Sequence, residues 1–156
     1  MFDTLVIATD GSASVRRAVD VALDFAERFD ADVHALFVVD EGEVESSPES
    51  IRAELREGLR DDGEDAVADV ATRAEQPVTT AVREGRPAAT ISDYAREVDA
   101  DVVATGTRGR HGENRYLIGG VAESVVRRCP VPVLTVRQLE GEAEGADDTG
   151  GGEATA

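Results

Sequence analysis

A chain of 156 residues favours one domain and can bury about 70% of its unfolded surface. With no Trp and few aromatics, aliphatic side chains and alanine must build the core. The net charge of −17 excludes nonspecific attraction to nucleic acid or to an anionic membrane, because both need positive charge.

All 16 cationic side chains are Arg, and Lys is absent. That removes a Walker A lysine, a Schiff base and a lysine general base. The acidic, lysine-free composition resembles proteins of salt-loaded, halophilic cytoplasms, where a Debye length of about 3 Å screens self-repulsion. No apolar run approaches the roughly 18 residues of a membrane span. The acidic start, MFDTLVIATD, does not read as a signal peptide. Cys129 is the single cysteine, which excludes an internal disulfide and fits a reducing cytoplasm.

In chain order, Thr4 to Thr9 is a short, β-branched apolar run ended by Asp10-Gly11, and predicts a buried strand. Ser12 or Ser14 can cap the next segment. There Val15, Ala18, Val19, Ala22, Phe25, Ala26 and Phe29 recur at helical spacing. Val33 to Val39 predicts a second strand covered on both faces. Residues 40 to 50 are acidic and read as a loop leading to a helix start at Pro48. Ile51, Leu55, Leu59, Val67, Val70 and Ala74 continue on helical spacing, with a bend or break expected near Asp61-Asp62-Gly63. Val78 to Val82 predicts a third strand. Gly85-Arg86-Pro87 opens a helix with Ile91, Ala95 and Val98 inward. Asp101 to Thr105 predicts a fourth strand. A glycine- and arginine-rich loop spans 106 to 118, and a helix through Val121, Ala122, Val125, Val126 and Cys129 stops at Pro130. Val131 to Val136 is the last strand, and its Pro132 argues for an edge or a strand start.

Strict alternation of strand and helix implies an α/β fold: a single-domain, five-stranded parallel sheet with helices on both faces. Ligands of such sheets sit at the carboxyl ends of the strands, near the switch point, so the functional loops should follow Thr9, Val39 and Thr105. Residues 138 to 156 hold six acids, no bases and five glycines, and read as a disordered tail. The domain is therefore 1–137. It keeps 27 of the 33 acids against 16 arginines, a net of −11.

The loop after the fourth strand, GTRGRHGENRYLIGG at 106–120, carries the chemistry. Its glycines allow close backbone approach, and the helix that follows presents free N–H groups to an anion. Arg108, Arg110 and Arg115 concentrate positive charge in an acidic chain, which suggests a bound phosphate. His111 has no nucleophile or acid beside it to serve as a base, and His34 lies within a strand. Asp10 either ends its strand in a turn or meets a ligand. Two His and one Cys far apart make no zinc pattern, and no acidic pair fixes Mg²⁺ geometry. The first βα turn, with one glycine, fails the dinucleotide fingerprint.

The spacing G-x-x-G, nine residues, then G opening a helix, followed by V-A-E-S-V-V and P-V-P-V-L-x-V, resembles the universal stress protein family. Val6 to Ser12, V-I-A-T-D-G-S, agrees, and the resemblance covers residues 1–137. It implies a Rossmann-like, adenine nucleotide alpha hydrolase-like fold, a cytoplasmic stress-response regulator that binds ATP or AMP, with or without Mg²⁺, and a homodimer through the strand 131–136. With no base, no metal-holding pair and no lysine apparent, no catalytic residue and at most slow ATP hydrolysis are expected. Carried over, the family pattern puts adenosine near Ala8, Thr9, Asp10 and Val38. It puts the phosphates against Gly106, Arg108, Gly109, Arg110, Gly119, Gly120, Val121 and Ala122. Where the family's ATP binders carry Ser or Thr after the third motif glycine, this chain has Gly120. The alternative is a dimeric adaptor of the same fold that binds no nucleotide.

Overall fold

The computed structural model describes residues 1–107 and 118–139. Strand β1 (Thr4–Ala8) leads through a 3-10 turn to helix α1 (Arg16–Phe29), then β2 (Asp32–Asp40) and the short α2 (Glu41–Glu45). Helix α3 (Arg52–Arg73), β3 (Val78–Gly85), α4 (Pro87–Glu97), β4 (Val102–Gly106), α5 (Gly120–Arg128) and β5 (Val133–Val136) follow. The strands form one parallel sheet in the order β3-β2-β1-β4-β5. The predicted fold class is therefore the observed one.

Leu5, Val6 and Ile7 of β1 are wholly buried because helices cover both faces of the central strand. Leu5 and Ile7 join the core under α1 and α3, whereas Val6 and Ala8 join the core under α4. Helix α1 buries Ala18, Val19, Ala22 and Ala26 on one face. It stops where Asp30 adopts a left-handed conformation (φ 52°) and its N–H bonds back to Ala26 and Glu27. The Asp101 carboxylate accepts from the N–H groups of Asp3 (2.8 Å) and Thr4 (2.9 Å), locking the start of β1 beside β4.

Five local expectations are corrected. Residues 41–45 are helical rather than loop, because Asp40 caps α2 by accepting from the Gly42 N–H. Helix α3 runs unbroken through Gly63, which sits where an added Cβ would lie 2.5 Å from the Phe37 ring. The missing side chain there is a packing requirement, not a break. Neither Ser12 nor Ser14 caps α1. The Ser12 hydroxyl donates instead to Asp10. The last strand begins at Val133, directly after Pro132, and lies at the sheet edge. Gln138, the first residue of the expected tail, is buried and accepts from the Arg17 N–H, so the ordered chain continues past 137.

Candidate functional site

The pairing of β1 with β2 ends at Ala8 and Leu36, yet β2 runs on to Asp40. The Thr9 N–H still donates to the Leu36 carbonyl (2.9 Å). Main-chain groups on a strand alternate sides, so those of Val38 also point toward the β1 side. No strand among the described residues meets them there. Across the same gap lies the end of β4 at Gly106 and the start of α5. This gap is the switch point, since β2 lies on one side of β1 and β4 on the other.

A cavity of about 370 Å³ fills it. Ala8, Thr9, Asp10, Val38, Gly106, Gly119, Gly120, Val121 and Ala122 all line it. Every described site residue expected from the sequence is thus brought to one place. Arg108, Gly109 and Arg110, with His111 and Arg115, lie outside the described residues. The walls are mainly apolar, from Leu36, Val38, Leu59, Pro87 and Ile91, and the acidic residues Asp10, Asp40 and Glu43 also line it.

Asp10 does two things at once. Its Oδ1 accepts from the Ser12 N–H (2.9 Å) and hydroxyl (2.6 Å), closing a turn that passes through Gly11 at φ 77°. Only glycine adopts that φ readily. The turn uses one carboxylate oxygen, Oδ1, and Asp10 lines the cavity. The Gly11 N–H donates to the Thr9 hydroxyl, so the β1 end is held by its own side chains.

Helix α5 starts at Gly120, with Gly119 as its N-cap and no side chain capping it. The Gly119 N–H donates to the Thr107 carbonyl, which ties the helix start to the end of β4. The N–H groups of Gly120, Val121 and Ala122 open the helix, where none has an intrahelical acceptor. A Cβ at Gly120 would meet nothing within 4 Å.

A second depression of about 530 Å³ shares Thr9, Asp10 and Val15 but opens between α1 and α3. It is lined by Asp62, Asp65, Asp69, Arg16 and Arg73, and Arg73 is held by Asp20 and Asp69. It lacks a broad apolar wall and touches neither β4 nor α5, so the smaller cavity is the better ligand site.

The universal stress protein family model matches residues 1–137. The chain belongs to the universal stress protein family. A universal stress protein of Methanocaldococcus jannaschii is 36% identical over 146 residues, covering 91% of this chain and 86% of the relative. The structure of hypothetical protein MJ0577, solved for structure-based assignment of its biochemical function, superposes with a TM-score of 0.78 at 25% identity, covering 89% of this chain and 98% of that one. A universal stress protein crystallised in complex with cAMP gives a TM-score of 0.63 at 25% identity, over 87% of this chain and 97% of that one.

Sequence reasoning missed the α2 and α4 contributions to this universal stress protein site: Asp40, Glu43, Pro87 and Ile91. The signal for α2 was present. Asp40 is a good N-cap, and Glu41 and Glu43 are acids in the first turn. Nothing in the spacing of Pro87 and Ile91 says that the start of α4 closes over β2.

Proposed function

We propose that this universal stress protein binds an adenine nucleotide, ATP or AMP, in the switch-point cavity and acts as a cytoplasmic stress-response regulator rather than a metabolic enzyme. The observation that carries this is the convergence of an apolar cleft with two sets of free main-chain groups at its ends. Parallel strands lie about 4.8 Å apart, so β2 and β4 are separated by about 10 Å across β1. That matches the span from a purine base to its 5′-phosphate. Val38 offers N–H and C=O to the base edge at the β2 end. Asp10 in the middle suits ribose hydroxyls. Gly119 and the open N–H groups of α5 suit a phosphate at the β4 end. Asp40 and Glu43 make the base end negative, which drives the phosphate to the other end. The complex of a family member with cAMP supports the ligand class.

No helix among the described residues is long and apolar enough to cross a membrane. The acidic, lysine-free composition supports a salt-loaded cytoplasm. The assembly we propose is a homodimer through β5, which is an edge strand. Gly120 favours a second reading, an adaptor without nucleotide, because it withholds a hydroxyl from the phosphate. Calorimetry with ATP and AMP, with mass spectrometry of ligand released from the purified protein, decides between them. Saturable binding is expected. No heat at millimolar nucleotide and no released ligand would leave the adaptor.

A further inference from the structure

Helix α2 carries three glutamates with different surroundings. Arg56 holds Glu41 at 3.2 Å, and Arg86 reaches Glu45 at 3.5 Å. Among the described residues the Glu43 carboxylate has no hydrogen bond or ion pair, and Glu43 lines the cavity together with Val38, Asp40 and Pro87. The helix that presents it is well anchored. Val44 is wholly buried, Asp40 caps the helix start, and Arg52 donates to the carbonyls of Glu45 (2.8 Å) and Ser47 (2.9 Å).

An unpaired carboxylate at an apolar cavity can only accept hydrogen bonds. It favours a ligand group that donates and repels one that carries lone pairs. The Val38 N–H, at the same cavity, has the opposite demand, a ring acceptor, and its C=O can take one of the two hydrogens of an exocyclic amine, leaving the other for Glu43. Adenine meets both, since its 6-amino group donates and its N1 accepts. Hypoxanthine and guanine invert the pattern, with a 6-oxo acceptor beside an N1–H donor.

We propose that Glu43 is the base-specificity residue of this cavity, its carboxylate accepting from the 6-amino group of adenine and rejecting 6-oxo purines. The proposal rests on the adenine-nucleotide reading above and names what selects the base. Removing a negative charge favours every phosphate ligand alike, so the informative quantity is a ratio of affinities, not one affinity.

The experiment is calorimetric titration of the full chain with AMP, IMP and GMP, for wild type, Glu43→Gln and Glu43→Asp. The wild type should prefer AMP to IMP and GMP by well over tenfold. Glu43→Gln, whose amide can donate to a 6-oxo group, should cut the AMP-to-IMP ratio about tenfold. Glu43→Asp keeps the charge but shortens the reach by one methylene, and should lower the ratio too. Ribose 5-phosphate, which has no base, should show no loss of affinity in either variant. An unchanged ratio in both variants, with AMP still bound, overturns the role of Glu43 and leaves the nucleotide reading intact. A wild-type preference for GMP overturns the role of Glu43 and the adenine reading together. No binding of any nucleotide by the wild type overturns both.

Discussion

At the scale of single residues, Gly120 and His34 make contrasting predictions. Gly120 is the first residue of α5, and a Cβ there meets open space, so Gly120→Ser should fold normally. Its hydroxyl adds one hydrogen bond toward a charged phosphate, worth about 1.5 kcal/mol, or about tenfold in ATP affinity by calorimetry. Equal or weaker binding would mean that the phosphates lie elsewhere. His34 lies on β2 with Nδ1 2.9 Å from the Tyr94 hydroxyl, and the rings meet edge to face. Burial lowers its pKa below the ordinary histidine value, against an opposing pull from Asp32. The folded protein therefore resists the proton that the unfolded chain accepts. Stability from this site is complete above the unfolded pKa, near 6.5, and is lost as pH falls through the lower folded value. The melting temperature should decline on acidification from pH 7 toward 5, and His34→Gln should flatten that slope. A slope unchanged by the substitution would assign the decline to other groups.

At the scale of elements, helix α3 holds two glycines that look alike in sequence and differ in structure. Nothing lies within 4 Å of a Cβ at Gly58, so Gly58→Ala should stabilise by about 1 kcal/mol through helix propensity. The same change at Gly63 drives a methyl into the buried Phe37 ring, at a cost of about 1–3 kcal/mol that outweighs the propensity gain. Urea melts of the two variants should move in opposite directions. This pair also shows where legibility stops. The strands and main helices could be read because β-branched runs and three-four spacing are local patterns, as in Leu5 to Ile7 and Ala18 to Ala26. Gly63 read as a breaker because its reason lies on β2, in Phe37. Likewise the glycines and Asp10 of the cavity were legible from motif spacing, whereas Glu43 and Ile91 reach it only through the way α2 and α4 fold over the end of β2.

At the scale of the whole molecule, the sheet order leaves β5 as an edge, which bears on assembly. The Pro132 and Val136 carbonyls accept from Val103 and Thr107 on the β4 side, so the alternating main-chain groups of Val133 and Thr135 point outward. Thr135→Pro removes one outward N–H without breaking the ladder to β4, a tolerable change at an edge. If a second copy pairs there, light scattering should show the wild-type dimer and a monomeric Thr135→Pro. A variant dimer as stable as wild type would move the contact off this edge. The same sheet order carries a consequence for kinetics. β1 joins β2 from Thr4 to Asp32, but it joins β4 from Leu5 to Val102, a far longer excursion of chain. Closing the longer loop costs about 1 kcal/mol more, so the β4 side should dock late as the protein folds. The cavity draws one wall from each side and exists only after that docking. A nucleotide bound across it would hold together contacts that the folding transition state has not yet made. Stopped-flow measurements with AMP should then show slower unfolding and an unchanged folding rate. The ligand would act less as a guide to the fold than as a latch on it, lengthening the lifetime of the closed sheet.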